Sequence, residues 1–237
     1  MFFPRGATAF AAACEQGIFE YDNVRVLQQV YRDGTYMFDV GSNLGLMSIP
    51  ILHMNPRSRV VSFEPSPNSL PFLQHTISQS PYAERWRLVA KAVAAEAGSA
   101  EFSVSDPRSG LYDSLKPTNR ASESRRVQVD LTTIDAEWNA MGRPDISVIK
   151  IDVEGAEAGV LRGATACLAA ARPAVLLEWN KINLSAHQSA PEELLTFAKQ
   201  HAYETFAIPS GVRVTTASEL NVQMLLTESF LLQPLPA

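Results

Sequence analysis

The sequence is poor in cysteine and histidine and has no excess of positive charge. Two cysteines and four histidines occur among 237 residues, and the formal net charge at pH 7 is −5. Cys14 and Cys167 are far apart and belong to no Cys-x-x-Cys or Cys/His grouping, which argues against a zinc or redox site and predicts reduced thiols in a cytoplasmic protein. Neutralising many phosphates needs a surplus of Lys and Arg, so nucleic acid is not an expected partner.

Long apolar runs are also missing. Residues 146–151 and 175–177 are examples of the apolar runs that do occur, and they fall far short of the ~20 residues that span a bilayer. The first residues faintly resemble a signal sequence, but their apolar stretch is short, is broken by Pro4 and Gly6, and follows no positive cluster. We therefore predict no membrane span and a packed N-terminal helix.

From residue 36 onward, short runs rich in β-branched and aromatic residues alternate with helix-like stretches. This alternation is typical of a largely parallel sheet with helices on both faces. The predicted strands cover residues 36–40, 59–63, 87–93, 100–104, 126–129, 146–153, 174–179, 204–208 and 223–227, and the predicted helices cover residues 43–53, 67–79, 157–171 and 190–201. Residues 1–35 are predicted to be a helical segment that caps the domain formed by residues 36–237.

A glycine-rich turn joins the first predicted strand to the first predicted helix. It reads Asp39-Val40-Gly41-Ser42-Asn43-Leu44-Gly45. Such a turn lets a ligand approach the backbone closely. A dinucleotide fingerprint needs glycines at its first, third and sixth positions, but the third and sixth are Asn43 and Leu46. In this sequence the strand ends in an acidic residue, and small residues occupy the first, third and fifth positions of the turn. This pattern fits the methyltransferase version of the turn instead.

The second predicted strand ends in Glu64, which Pro65 follows. An acidic residue at this edge of a sheet can accept hydrogen bonds from both ribose hydroxyls of a nucleoside cofactor. Adenosyl and nicotinamide cofactors both carry a ribose. Glu64 therefore predicts a nucleoside site without choosing between the two cofactors.

Several segments, in order, resemble the FkbM family of S-adenosylmethionine-dependent methyltransferases. They are residues 38–45, Glu64-Pro65, the run Ile149-Lys150-Ile151-Asp152-Val153-Glu154-Gly155-Ala156-Glu157, and residues 161–164, 172–173 and 176–178. The resemblance implies an α/β, Rossmann-like class I methyltransferase fold with a mostly parallel seven-stranded sheet, helices on both faces and an antiparallel last strand. It also implies S-adenosylmethionine as the cofactor and methylation of an oxygen, often on a sugar or polyketide hydroxyl.

The resemblance also assigns residues to the cofactor site and to a family signature at the end of the predicted strand at residues 146–153. The cofactor residues are Asp39, Gly41, Asn43, Gly45, Glu64 and Pro65, and the signature residues are Lys150, Asp152, Glu154 and Glu157. Where an acidic or polar adenine partner is expected after the third strand, this sequence has Lys91-Ala92-Val93. Adenine recognition is therefore assigned to backbone groups near Ala92.

Catalytic candidates follow from strand geometry. A period of two puts Lys150 and Asp152 on one face, with Asp152 nearest the ligand edge, and Glu178 ends the next strand. We predict that Asp152 or Glu178 is a general base or a partner of the methionine amino group, with Lys150 tuning their charge and Glu154 as a further candidate. The structural alternatives are a buried ion pair for Lys150 and a helix-dipole role for Glu157.

A divalent cation on Asp152, Glu154 and Glu178 is a less favoured alternative, and no metal is expected. The predicted substrate contacts are Tyr112 and Ser114, in the long polar stretch at residues 105–124, together with Trp179 and His187. Trp179 ends the predicted strand at residues 174–179, and His187 follows that strand. Tyr112 and Trp179 could stack on a sugar or an aromatic ring, or could anchor loops.

These observations predict an O-methyltransferase that acts on a small molecule, a glycan or a natural product. Three other functions remain open at this point. They are N-methylation of an amine or a protein side chain, a nicotinamide-dependent oxidoreductase, and a non-catalytic module that binds the cofactor. The oligomeric state also stays open, with a homodimer as one option.

Overall fold

The computed structural model describes residues 1–8, 11, 12, 15, 17, 19–105, 113–116 and 125–236. Cys14 and Tyr112 lie outside the described residues. The described helices are α1 (Tyr21–Val30), α2 (Ser48–Met54), α3 (Leu70–Gln79), α4 (Ile134–Ala140), α5 (Glu157–Arg162), α6 (Thr165–Ala171), α7 (Lys181–His187), α8 (Glu193–Gln200) and α9 (Ala217–Gln223). The described strands are β1 (Tyr36–Val40), β2 (Arg59–Phe63), β3 (Trp86–Val89), β4 (Ala92–Val93), β5 (Gly98–Val104), β6 (Arg125–Thr132), β7 (Ile146–Ile151), β8 (Ala174–Glu178), β9 (Tyr203–Ala207), β10 (Val212–Val214) and β11 (Ser229–Pro234).

The main sheet has eight strands in the order β10-β9-β11-β8-β7-β1-β2-β3. From β3 to β8 all neighbours are parallel, and β11 is antiparallel to both β8 and β9. The predicted antiparallel last strand is confirmed, but the predicted count of seven is wrong. The eighth strand is β10, which pairs with β9 as an antiparallel edge strand.

The central strands are buried because helices cover both faces of the sheet. All six residues of β7 are buried, and its apolar side chains contribute to both of the large apolar clusters. Ile149 packs with helices α5, α6, α8 and α9 on one face, whereas Val148 packs with α1, α2 and α3 on the other. None of the helices in the described ranges is long and apolar enough to cross a bilayer.

A second sheet of three strands, in the order β4-β6-β5, lies beside the first. The predicted strand at residues 87–93 is wrong as a single element, because β3 belongs to the main sheet and β4 pairs with β6. The predicted strands at residues 100–104 and 126–129 exist as β5 and β6, and they pair antiparallel in this small sheet. The small sheet matters for the site because it supplies one wall of the cavity described below.

Two further predictions are corrected by the structure. The predicted helix at residues 157–171 is two helices, α5 and α6, which are separated at Gly163. A Cβ atom on Gly163 would lie 2.2 Å from the carbonyl oxygen of Ala94, so the chain turns where its backbone meets the segment after β4. The predicted strand at residues 223–227 is instead the end of α9 and the turn after it, and the last strand is β11.

Candidate active site

A cavity of about 480 Å³ opens at the carboxyl ends of the parallel strands. Its wall includes residues 41–44 of the glycine-rich turn, Glu64 and Pro65 after β2, Asp152 and Glu154 after β7, and Glu178 at the end of β8. Ala92, Phe102 and Leu115 line the side next to the small sheet, and Glu20 and Asn23 line the side next to α1. The volume and the mixed polar and apolar wall are typical of a site for a small molecule.

The glycine-rich turn packs against the end of β7. Gly41 has a φ of 74°, and a Cβ atom there would lie 1.7 Å from the carbonyl oxygen of Asp152. Gly45 has a φ of 83°, and its Cβ atom would lie 2.5 Å from the ring of Trp86. Asn43 also has a positive φ, of 50°, which asparagine tolerates better than most residues. The backbone of this turn therefore requires small residues or asparagine at these positions.

Asp39 lies beneath the turn and is fully buried. Its Oδ2 atom is 2.9 Å from Ser42 Oγ and 2.6 Å from Ser48 Oγ. Its Oδ1 atom is 3.7 Å from Lys150 Nζ, and Asp39 does not line the cavity. Asp39 therefore supports the turn from below, and its predicted contact with a cofactor stays a prediction.

Glu64 faces the cavity and also holds the backbone around it. Its Oε2 atom accepts a hydrogen bond of 2.7 Å from the Asn43 amide, and its Oε1 atom accepts one of 2.7 Å from the Ser66 amide. Burial raises the pKa of Glu64 to about 7, although these two hydrogen bonds act in the opposite direction. A buried carboxyl group at this edge is well placed for a ligand that donates hydrogen bonds.

Lys150 connects the turn to the end of β7. Its Nζ atom donates a hydrogen bond of 3.1 Å to the Gly41 carbonyl and lies 3.3 Å from Asp152 Oδ2. Burial alone would lower the pKa of Lys150, but the carboxylates of Asp152, Asp39 and Glu20 raise it above its usual value. Lys150 therefore lines the cavity as a charged ammonium group and forms the buried ion pair that was the structural alternative.

Three carboxyl groups meet at the other end of the cavity. Asp152, Glu154 and Glu178 each offer an oxygen, and these oxygens lie within 4.8 Å of one another; in the described chain they form a group that could hold a metal ion. Burial, the charge of Asp152 and hydrogen bonds to Glu228 and Asp152 raise the pKa of Glu178 well above its usual value. Glu154 accepts a hydrogen bond of 3.0 Å from Asn183 Nδ2. Burial and the neighbouring carboxyl groups therefore favour the protonated form of Glu178.

Glu157, the last residue of the predicted signature, lies outside the cavity wall. Its Oε1 atom accepts hydrogen bonds of 3.1 Å from the Val153 amide and 3.0 Å from the Gly155 amide. Burial raises the pKa of Glu157 to about 7. Glu157, which begins α5, therefore holds the loop that carries Glu154 in place.

The predicted substrate contacts lie away from the cavity wall where the structure describes them. Trp179 is 1% exposed and donates a hydrogen bond of 3.0 Å to the Pro191 carbonyl. Ser114 donates a hydrogen bond of 2.6 Å to the Lys116 carbonyl. His187 packs against Gly155, and burial lowers the pKa of its ring to about 4. These placements do not support direct substrate contact by Trp179, Ser114 or His187, and Tyr112 falls outside the described ranges.

Sequence reasoning missed several residues of the cavity wall, chiefly Glu20, Asn23, Asp113 and Glu228. Glu228 precedes β11, so a strand placed at residues 229–234 instead of 223–227 would have put it at the same sheet edge as Glu178. Asp113 lies in the polar stretch from which only Tyr112 and Ser114 were selected. Glu20 and Asn23 lie where α1 begins, and only the expected cap at residues 1–35 pointed to them.

Comparison with protein families identifies the class of this chain. The model described as the Methyltransferase FkbM domain matches residues 39–205, which is more than half of the sequence. The chain therefore belongs to the FkbM methyltransferase family, and membership implies S-adenosylmethionine as the methyl donor. The methyltransferase sdnD of Sordaria araneosa is 24% identical in an alignment of 154 residues that covers 54% of this chain and 60% of that protein. The matched region thus covers less than two thirds of this relative.

Solved structures give the same fold. A methyltransferase FkbM from Methylobacillus flagellatus superposes with a TM-score of 0.52 at 15% identity, covering 96% of this chain and 52% of the other. A Staphylococcus aureus structure named as a candidate caffeoyl-CoA O-methyltransferase has a TM-score of 0.54 at 8% identity, covering 97% of this chain and 91% of the other. At these identities the likeness shows the class I methyltransferase fold alone.

The residues of the cavity fit S-adenosylmethionine. The turn at residues 41–44 exposes its backbone to the cavity, and Glu64 lies at the edge expected for a ribose. Ala92 and Phe102 offer apolar surface for an aromatic base, and the carboxyl groups at the other end of the cavity suit a ligand that carries an ammonium group. The donor and acceptor groups therefore match the nucleoside and amino acid parts of this molecule.

Proposed function

We propose that this protein transfers the methyl group of S-adenosylmethionine to a hydroxyl oxygen of a small molecule, sugar or natural product. S-adenosylmethionine supplies an electrophilic methyl group on a sulfonium. The observation that carries the proposal is the place of the Asp152 carboxylate in the cavity wall, 3.3 Å from the Lys150 ammonium and next to Glu178, whose pKa is raised by burial and by the charge of Asp152. The protein must align the acceptor with the methyl group and remove the proton of its hydroxyl.

The cofactor is proposed to lie along the turn. Gly41, Asn43 and Glu64 would hold its ribose side, and Ala92 and Pro65 would contact its base. Support comes from their common place in the cavity wall and from the family signature they carry. In this arrangement Asp39 and Gly45 act indirectly, because they hold the turn rather than line the cavity.

Asp152 is the proposed general base. The adjacent Lys150 ammonium favours the charged form of the Asp152 carboxylate, so this group can accept a proton from a hydroxyl. Glu178 is proposed to keep its own proton and to position Asp152 by a hydrogen bond. Glu154 completes the wall and is proposed to contact the acceptor.

A second candidate is methylation of an amine, which is supported by the charge of the same wall. Five acidic side chains and Lys150 line this region, and the acidic ones are Glu20, Asp152, Glu154, Glu178 and Glu228. A carboxylate-rich wall attracts a cationic group. An amine acceptor would arrive protonated and would also have to lose a proton before it attacks.

The deciding experiment supplies methyl-labelled S-adenosylmethionine with paired acceptors that differ only in a hydroxyl or an amine. Mass spectrometry of the products is expected to show methylated oxygen. Methylation of the amines alone would favour the second candidate. Calorimetry that found binding of NAD but not of S-adenosylmethionine or S-adenosylhomocysteine would overturn both.

The metal alternative is tested in the same assay. Turnover is expected to survive a chelator that is added before the substrates, because Lys150 already supplies a cation beside Asp152. A chelator that abolished turnover, with recovery after Mg²⁺ or Mn²⁺, would instead make Asp152, Glu154 and Glu178 metal ligands.

A further inference from the structure

Asp113 is half-buried and links the small sheet to the loop that follows β2. Its Oδ1 atom accepts hydrogen bonds of 2.7 Å from the Ser105 amide and 2.6 Å from Ser105 Oγ. Its Oδ2 atom accepts hydrogen bonds from Ser66 Oγ and from Asn68 Nδ2. A carboxylate offers about four acceptor positions, so two donors from each side occupy the whole group.

This link leads directly to the proposed ribose site. Ser66 donates its amide to Glu64 Oε1 and its hydroxyl to Asp113. Asn68 also donates to the Ser105 carbonyl, at 3.0 Å. Glu64, Ser66 and Asp113 all line the cavity, so a chain of hydrogen bonds runs from the ribose carboxylate to the small sheet along one wall.

The small sheet supplies the apolar part of the same wall. Phe102 of β5 and Leu115, two residues after Asp113, line the cavity. The Ser103 and Ser114 backbones exchange hydrogen bonds of 2.7 and 3.0 Å, which hold residues 113–116 against β5. The position of the apolar surface formed by Phe102 and Leu115, relative to Glu64, therefore depends on the contacts of Asp113.

We propose that Asp113 is a positioning residue for the nucleoside half of the cofactor, because it fastens Phe102 and Leu115 at a set distance from Glu64. This inference rests on the proposed function, since it assumes that the adenosine of S-adenosylmethionine lies between these groups. Asp113 does not touch the reacting atoms. Its loss weakens cofactor binding without removing the groups that act on the acceptor.

The test compares Asp113→Ala and Asp113→Asn with the wild-type chain. In Asp113→Ala the KM for S-adenosylmethionine is expected to rise about 10- to 100-fold, whereas kcat at saturating cofactor changes less than about threefold. Binding of 5′-methylthioadenosine, which carries only the nucleoside half, is expected to weaken by the same factor. Asp113→Asn keeps the Oδ1 acceptor for Ser105 and is expected to show a smaller rise.

A matched control removes another contact of the small sheet. The exposed ion pair of Arg126 and Glu101, at 2.8 Å, lies away from the cavity, so Glu101→Ala is expected to leave the KM unchanged. The double variant Asp113→Ala with Ser66→Ala is expected to be little worse than the more affected single variant, because both break the same link.

The outcomes separate the two proposals. An Asp113→Ala chain that melts earlier but binds methylthioadenosine and S-adenosylmethionine as the wild type does would overturn the positioning role. Equal losses in kcat and in the KM for the acceptor would also overturn it. If Asp113→Ala does not fold, Asp113→Asn decides by the same measurements. A wild-type chain that binds neither ligand would refute the proposed function instead.

Discussion

The two ends of the cavity differ in the surroundings of their carboxyl groups. At the proposed nucleoside end, Glu64 accepts hydrogen bonds from two backbone amides, and Asp113 accepts four from serine and asparagine donors. At the other end, Asp152, Glu154 and Glu178 crowd within 4.8 Å of one another. The first arrangement surrounds its carboxyl groups with hydrogen-bond donors, whereas the second places carboxyl groups beside one another.

From this difference we infer that the first end holds the cofactor and that the second end takes part in the reaction. Satisfied hydrogen bonds fix a surface before the ligand arrives, so little ordering remains to be done on binding. Crowded carboxyl groups cost free energy in the free protein, and such costs are typical of catalytic sites. The comparison therefore predicts that variants at the first end change affinity and variants at the second change turnover.

The largest effect is expected where the turn meets β7. Gly41→Ala would force a Cβ atom to within 1.7 Å of the Asp152 carbonyl, and we expect a loss of at least about 3 kcal/mol in unfolding free energy together with loss of cofactor binding. Gly211→Ala is the matched control, because Gly211 has a φ of 68° and no atom near its Cβ position. It should lose only about 1 kcal/mol. Equal losses in denaturant melts would show that backbone strain, not the contact with β7, governs Gly41.

The next effect concerns turnover at the carboxyl end. Asp152→Asn is expected to lower kcat by about 10² to 10⁴, because the proposed base can no longer accept a proton. Glu178→Gln should lower kcat less, since glutamine still donates a hydrogen bond, and cofactor affinity should change little in either variant. Asp130→Asn, on the exposed side of β6, is the control. A weaker cofactor affinity with unchanged kcat in Asp152→Asn would reverse the comparison between the two ends.

The third effect is a pH dependence of cofactor affinity. Burial raises the pKa of Glu64 from 4.5 to about 7, and a ribose donates hydrogen bonds to the charged form. Affinity for S-adenosylhomocysteine should therefore increase as the pH rises through about 7, and below it should fall up to about tenfold per pH unit. Titration calorimetry between pH 5.5 and 8.5, a range chosen to bracket that pKa, measures it.

The control for that titration is Glu157, whose pKa burial also raises to about 7 although it lies outside the cavity wall. Glu64→Gln should abolish the pH dependence, whereas Glu157→Gln should keep it. Glu157→Gln should instead change how the unfolding free energy depends on pH. A raised carboxyl pKa makes the folded state bind more protons than the unfolded state between pH 4.5 and 7, so stability falls as the pH rises across this range. Glu157→Gln should make this decline of the unfolding free energy smaller.

The features that sequence reasoning predicted are those encoded by neighbouring residues. The turn at residues 39–45, Glu64 after β2 and the pair Lys150 and Asp152 all follow from strand period, from glycine and asparagine positions or from a family signature. Each was placed at the sheet edge where the structure has it. Within each of these motifs the residues are only a few positions apart, so few alternative arrangements exist.

What could not be predicted depends on pairing between distant segments. The run at residues 223–227 is apolar, but Thr216 and Glu219 form a capping box that starts α9, and the helix continues to Gln223. This signal is readable in the sequence. The insertion of β11 between β8 and β9 is not, and it brings the Glu228 carbonyl to 2.7 Å from the Trp179 amide. The contacts of Asp113 with Ser66 and Asn68 are not readable either, because these two partners lie more than forty positions away in the loop after β2.

The smallest effect tests whether Trp179 belongs to the site at all. Trp179→Phe should lower the unfolding free energy by about 1–2 kcal/mol, because it removes a buried hydrogen bond to the Pro191 carbonyl and part of the packed ring. Trp138→Phe is a matched control, since Trp138 is also buried and donates a hydrogen bond of 2.9 Å to the Pro144 carbonyl. Both variants should leave the KM for the acceptor unchanged. An increase of that KM in Trp179→Phe alone would return Trp179 to the list of substrate contacts and extend the reactive end of the cavity beyond β8.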